Sequence, residues 1–225
     1  MLILTGCSNP SFSPPDTVTT SVGSPVPALN PVFATDANSQ RIGELIHSSL
    51  VTVTDDLQAE PWLAERIVQQ SPSRVTFHLR GGCLFHDGSP VTAADVVASA
   101  LHYLNQSVNS PHREVLASIR DVRALDERTV RFDLSRPDAS LLSYFPLLKV
   151  MKAGTLGEEN PVGVGPFRLV RNTTGEILLE RAKTGCLPEP AYRFLRIKVI
   201  RDDLSRYLKL RAGELDVALN EMDYQ

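Results

Sequence analysis

The segment Val75–Val97 constrains the fold of this 225-residue chain more than any other stretch. Apolar residues occupy every second position of Val75–Leu79, which is typical of a strand with one buried face. The glycine and proline of His86–Pro90 then favour a tight turn. Residues 92–95 have the spacing of a capping box, and apolar residues follow at helical intervals. The segment therefore predicts a strand, a turn and a helix in succession.

Composition and charge narrow the class of protein. Hydrophobic residues make up 42% of the chain and charged residues 22%, which is ordinary for a globular protein. A net charge of −3 gives no electrostatic basis for binding nucleic acid. The sequence also contains no apolar run of about 20 residues, the length that a membrane-spanning helix needs.

Three short motifs in the same segment carry a family resemblance. They are Thr-Phe-His-Leu-Arg at 76–80, Phe-His-Asp-Gly at 85–88 and Pro-Val-Thr-Ala-Ala-Asp-Val at 90–96. Together they resemble the signature of solute-binding proteins of peptide ABC importers, the oligopeptide, dipeptide and nickel-binding family. Pro-Val-Gly-Val-Gly-Pro-Phe at 161–167 is similar to that family's Pro-Val-Gly-Thr-Gly-Pro-Tyr loop. The resemblance implies an α/β fold of the periplasmic-binding-protein type II, with a mixed sheet and peripheral helices.

The resemblance also predicts how the chain is divided. It runs from Leu29 to Gln225, and members of the family are about twice as long. We therefore expect residues 29–225 to be the N-terminal part of a solute-binding domain, lobe I. The fold is then partial, with the second lobe largely missing, and the chain supplies one wall of the ligand cleft.

The N-terminus is similar to a bacterial lipobox. Leu4-Thr-Gly-Cys7 predicts that Cys7 is lipidated, and residues 1–6 then correspond to a truncated signal peptide. The apolar stretch before Cys7 is shorter than an ordinary signal-peptide core. Residues 7–28 are rich in Ser, Thr and Pro, and we expect them to form a flexible tether.

Cys83 and Cys186 remain once Cys7 is set aside. They either pair in an oxidising compartment or serve as two unpaired, small apolar residues. We favour the unpaired interpretation, because Cys83 lies where the resembling family usually has an aliphatic residue.

The resemblance implies where ligand contacts lie. Matched position by position, the peptide path of the oligopeptide binders passes Thr35, Asp36 and Ala37, where an extended peptide is held by backbone pairing. His112 falls in Ser-Pro-His where those proteins have Ser-Pro-Tyr, and it is either a ligand donor or a loop residue. The loop residues Gly163, Val164 and Gly165 are expected to line an open face near the cleft. The single tryptophan, Trp62, either contacts ligand or packs against the scaffold, and we favour packing.

Other chemistries find little support in the sequence. No Gly-x-Ser-x-Gly elbow is present, and Cys83 has no evident base partner, so we predict no enzymatic activity. His78, His86 and Asp87 do not make a set of three or four converging metal ligands. The glycine loop at 161–167 lacks the Gly-Lys-Ser/Thr of a phosphate-binding loop. We therefore expect no cofactor.

The function implied by the resemblance is capture of short peptides outside the cytoplasm for import. The partners would be a short peptide, an ABC permease complex in the cytoplasmic membrane and a lipid anchor. The protein would lie in the periplasm or on the outer face of the cell membrane. Alternatives are a nickel-chelate or haem-binding member of the same family, or a truncated lobe that binds no solute.

Overall fold

The computed structural model describes residues 16–56, 58–138 and 140–218. The ten strands of this part, in chain order, are β1 (Thr17–Val22), β2 (Val51–Val53), β3 (Ala59–Pro61), β4 (Ala64–Ser71), β5 (Arg74–Leu79), β6 (Ile119–Asp126), β7 (Thr129–Leu134), β8 (Phe167–Asn172), β9 (Glu176–Arg181) and β10 (Phe194–Val199). Its α-helices are α1 (Ala37–Ile46), α2 (Ala93–Leu104), α3 (Leu141–Tyr144) and α4 (Asp203–Arg211), and two 3₁₀ turns lie at Phe145–Leu147 and Ala153–Thr155.

Most of these strands form two four-stranded sheets. One has the order β4-β5-β7-β6 and is antiparallel throughout. The other has the order β1-β10-β9-β8 and is mixed, because β1 runs parallel to β10 while the other pairs are antiparallel. Strands β2 and β3 form a small antiparallel pair. The α/β fold with mixed sheet and peripheral helices predicted from the sequence is confirmed.

Each large sheet has its own core. The rings of Phe77, Phe132 and Phe145 lie 4.8 to 5.5 Å apart between centroids and are fully buried in the larger core. The second core lies between α1 and the mixed sheet, where Ile42 and Ile46 pack with apolar residues of the strands. Burial of these apolar surfaces is the main favourable term in folding.

Helix α2 begins with the capping box that the sequence predicts. The backbone N–H of Thr92 donates to Asp95 Oδ2 at 3.0 Å, and the Thr92 hydroxyl donates to the same oxygen at 2.7 Å. Asp95 Oδ1 also accepts from the Ala153 N–H at 3.1 Å. The cap therefore fixes the start of the helix and the chain that returns beside it.

Strand β1 corrects the predicted tether. Thr17–Val22 lies in the stretch assigned to a flexible segment, yet it pairs with β10 over six residues. Its β-branched side chains suit a sheet, and Val22 and three polar residues of the strand are buried. The prediction is therefore wrong for this part of residues 7–28, while residues 1–15, including Cys7, lie outside the described residues.

The two cysteines also depart from the favoured interpretation. Cys83, shortly after β5, and Cys186, shortly after β9, form a disulfide with their Cα atoms 4.8 Å apart. The Leu84 N–H donates to the Thr184 carbonyl at 2.8 Å beside it. The unpaired interpretation was wrong because this proximity arises from the packing of segments 103 residues apart.

None of the helices in the described ranges is long and apolar enough to cross a membrane.

Candidate functional site

The segment leading into α1 contains three of the predicted ligand contacts. Thr35 and Ala37 are exposed, and Asp36 between them is half-buried. Asp36 has extended backbone and caps α1, since its Oδ1 accepts from the Ser39 N–H at 2.9 Å. The Asp36 carboxylate thus caps the helix, whereas Thr35 is exposed and its carbonyl oxygen accepts from Gln40 Nε2 at 3.5 Å.

His112 supports the segment that leads into α1 through a hydrogen bond to its backbone. Its ring is buried and its Nε2 lies 2.9 Å from the carbonyl oxygen of Ala34, so Nε2 carries the proton. The hydroxyl of Ser110 donates to the Val32 carbonyl at 2.8 Å. Burial lowers the pKa of His112, against the opposing effect of the Ala34 hydrogen bond. Of the two roles weighed for His112, these contacts describe a supporting residue, and a direct contact with ligand stays a prediction.

The glycines of the loop lie against the end of α1. Gly163, Val164 and Gly165 are buried. A Cβ at Gly163 would lie 2.1 Å from the Ile46 carbonyl oxygen, and the Gly165 N–H donates to that same oxygen at 2.8 Å. The expectation that Gly163, Val164 and Gly165 line an open face is wrong, because the glycines allow backbone to approach α1. A hollow of about 290 Å³ does open beside them, lined by Pro161, Val162, Arg168 and Leu169 among others. The role of the three loop residues in ligand binding stays a prediction.

The signature turn is joined to this loop. The His86 N–H donates to the Gly163 carbonyl at 3.0 Å, and His86 Nε2 lies 2.9 Å from the Gly165 carbonyl. Asp87 accepts from the Ser89 N–H at 3.0 Å. These residues therefore act as scaffold, and no cluster of three His, Cys, Asp or Glu side chains in the described ranges could hold a metal ion.

Two neighbouring hollows open beside α1. The smaller, of about 30 Å³, we call the His112 hollow, and its lining includes Ala34, Gln40, Gly43, Glu44, His112 and Lys149. The larger, of about 530 Å³, we call the Trp62 hollow, and its lining includes Glu44, Thr52, Trp62, Ser143, Tyr144 and Lys149. Glu44 and Lys149 line both, so the two hollows meet at this pair of charges.

The charge pair has one buried and one exposed member. Lys149 Nζ lies 3.2 Å from Glu44 Oε1, and the Lys149 side chain is 10% exposed against 58% for Glu44. Burial lowers the pKa of Lys149, while the Glu44 carboxylate opposes that shift. Nearby, burial lowers the pKa of His47 to about 3, and the charges of His86 and Lys149 act in the same direction. His47 is therefore neutral at pH 7.

Sequence reasoning missed Glu44 and Lys149. They are 105 positions apart, and only the tertiary fold brings them together. One signal was present: Lys149 is a lone cation inside the apolar run Leu147-Leu-Lys-Val-Met151. Trp62 packs against the larger core as predicted, and it also forms part of the Trp62 hollow. Hollows with aromatic walls and a few placed polar groups are typical of solute-binding sites.

Comparison with known proteins identifies the family. The family model of bacterial extracellular solute-binding proteins, family 5 (Middle), matches residues 58–224. Protein XP55 of Streptomyces lividans is 32% identical over 235 residues, covering 96% of this chain and 42% of that protein. The dipeptide-binding protein of Escherichia coli strain K12 is 30% identical over 191 residues, covering 70% of this chain and 35% of that protein.

A solved structure shows the same architecture. The PBP AgaA from A. tumefaciens R10, in complex with agropinic acid, has a TM-score of 0.83 and 29% identity, covering 90% of this chain and 43% of that one. The chain thus spans less than half the length of these relatives. The family match extends over most of the chain, from just before β3 to beyond α4. The chain therefore belongs to the bacterial extracellular solute-binding proteins of family 5.

Proposed function

We propose that this protein takes part in capturing short peptides outside the cytoplasm for an ABC importer, without chemical change to the peptide. The observation that carries the proposal is the exposed Thr35, followed by the extended backbone of Asp36, beside the His112 hollow. Within the described ranges, no hydrogen bond engages the Thr35 N–H. An extended peptide can pair with such a backbone as an added strand and place side chains in the adjoining hollows. The dipeptide-binding relative supports the same class of ligand.

The cellular setting belongs to the same proposal. Cys7 would bear the lipid that holds the protein at the outer face of the cytoplasmic membrane or in the periplasm, and a permease complex in that membrane would receive the peptide. Two acyl chains anchor a protein stably, whereas one gives only marginal binding. Equal fatty-acid labelling of wild type and Cys7→Ala would contradict the anchor.

The peptide proposal predicts a specific effect of Thr35→Pro. Proline removes the backbone N–H that would pair with the peptide, while Thr35→Ala keeps it and changes only an exposed side chain. We expect Thr35→Pro to weaken peptide binding about tenfold, the effect of losing one hydrogen bond worth about 1–1.5 kcal/mol. Isothermal titration with a library of tripeptides to pentapeptides measures this, with melting temperature as the check on folding.

The matched control decides the interpretation. Thr35→Ala should bind peptide with an affinity within about twofold of wild type. This difference in binding free energy is well under the 1.4 kcal/mol that corresponds to a tenfold change in affinity. Equal affinity of the proline variant and wild type would contradict strand addition at Thr35. If no peptide binds and a nickel chelate or haem binds instead, the peptide proposal is wrong and the alternative ligand takes its place.

A further inference from the structure

The Trp62 hollow contains a lysine, Lys149, whose backbone is held by several hydrogen bonds. Lys149 forms an antiparallel bridge with Ser49, and the Val150 N–H donates to the Ser48 carbonyl at 2.8 Å. The Lys149 N–H also points to the hydroxyl of the buried Tyr103, at 3.4 Å. The base of the lysine side chain is therefore held by the scaffold, which is what a preorganised binding group requires.

The ammonium group has more hydrogen-bonding capacity than its partner uses. A lysine ammonium carries three donors, and in the described part of the chain Glu44 is the carboxylate that reaches it. Glu44 is mostly exposed, and ion pairs with an exposed member contribute little stability. A buried charge is costly unless it is well paired. A second anion at Lys149 would supply the missing compensation.

The surroundings of Lys149 define what such an anion can carry. Glu44 and Lys149 are the charged residues in the lining of the Trp62 hollow. Trp62 is half-buried and Tyr144 is 42% exposed, so both present apolar ring surface. A volume of about 530 Å³ holds an amino-acid-sized group. The attraction favours a carboxylate over an ammonium group, because Lys149 is far more buried than Glu44 and buried charges interact more strongly.

We propose that the Trp62 hollow is an anchoring subsite for the free carboxylate of the bound solute, with Lys149 as the residue that binds it. The inference rests on the proposed function and adds a ligand class: solutes that end in a free carboxylate. Glu44 competes with that carboxylate for Lys149 when the subsite is empty. The residue or side chain that carries the carboxylate contacts the rings of Trp62 and Tyr144, which both line the hollow.

Trp62 fluorescence provides the test, because it is the single tryptophan of the chain and lines the subsite. The probes are trialanine as the free acid and trialanine amide, titrated separately into the whole protein. We expect the free acid to change the fluorescence and to bind at least about tenfold more tightly than the amide. Lys149→Met should remove this preference, whereas Lys149→Arg, which keeps the charge, should retain most of it.

Glu44→Gln is a second variant, which keeps the size of the side chain and removes the competing charge. It should bind the free acid more tightly than wild type, by about twofold or more. Any of three results overturns the inference. Wild type binds the acid and the amide equally well, Lys149→Met keeps the preference for the acid, or Glu44→Gln binds the acid more weakly than wild type. The inference is also overturned if the free acid does not change the Trp62 fluorescence. The proposed function still stands in that case, provided that titration calorimetry detects peptide binding. Failure of every peptide to bind in calorimetry overturns the proposed function itself.

Discussion

Gly163 lies where any side chain would collide with the end of α1. A Cβ there would lie 2.1 Å from the Ile46 carbonyl oxygen, an atom that the Gly165 N–H also needs. We expect Gly163→Ala to lower the free energy of unfolding by about 1–3 kcal/mol, the usual cost of overpacking. Gly43→Ala is the matched control, since a Cβ at this position in α1 meets no atom within 4 Å.

The control should move in the opposite direction. Alanine in a helix interior is favoured over glycine by about 0.5–1 kcal/mol, so Gly43→Ala should stabilise the protein. Urea unfolding of both variants measures the two changes. Equal stability of Gly163→Ala and wild type would contradict the close packing of the loop on α1.

Single residues were predictable where their partners lie nearby in sequence. Thr92 and Asp95 form the predicted capping box because the whole device fits within four positions. Gly163, Val164 and Gly165 were predicted to line an open face near the cleft, but the glycines pack against α1 instead. Which surface they meet depends on the tertiary fold. For the same reason, Lys149 and Glu44 did not stand out as a pair.

At the scale of elements, β1 shows why composition misled the tether prediction. Serine, threonine and proline dominate residues 7–28, and low hydrophobicity favours disorder. Thr17–Val22 nevertheless finds a parallel partner in β10, which begins at Phe194 and supplies backbone hydrogen bonds that local sequence cannot reveal. Helix α1 ends at Ile46, where the Gly165 N–H donates to the last carbonyl oxygen of the helix.

Two substitutions at Thr20 test the docking of β1. The Thr20 hydroxyl is buried and has no partner among the described residues. Thr20→Val keeps the side-chain shape and removes the cost of burying a hydroxyl without a hydrogen bond. We therefore expect the free energy of unfolding to rise by about 1 kcal/mol. Thermal and urea unfolding provide the measurement.

Thr20→Pro should have the opposite effect. The N–H and carbonyl of Thr19 face Asp216, so by strand alternation the Thr20 N–H faces β10. Proline removes that donor and should cost about 1–3 kcal/mol. If residues 17–22 were free of the sheet, neither substitution would change stability.

At the scale of the whole molecule, the disulfide joins segments that follow strands of different sheets. Cys83 follows β5 and Cys186 follows β9, and the two cysteines are 103 positions apart in the sequence. Closing so long a loop restricts the unfolded chain, and removal should cost about 2–5 kcal/mol. We expect reductant, or the double variant Cys83→Ala with Cys186→Ala, to lower the urea midpoint to the same extent. The double variant should not respond to reductant, and an unchanged midpoint in reduced wild type would contradict the disulfide's role.

If Cys7 bears a lipid as proposed, the early start of β1 limits how far the domain can lie from the membrane. With Cys7 as the proposed lipid-bearing residue, ten steps of chain separate it from Thr17, where the sheet begins. A fully extended chain of that length spans at most about 35 Å, whereas a tether running to residue 28 would span about 75 Å. The tether from Cys7 to β1 is thus less than half as long as the tether of residues 7–28 that the composition predicts. A domain on so short a tether would stay in a thin layer next to the bilayer, where its local concentration near a permease would be high.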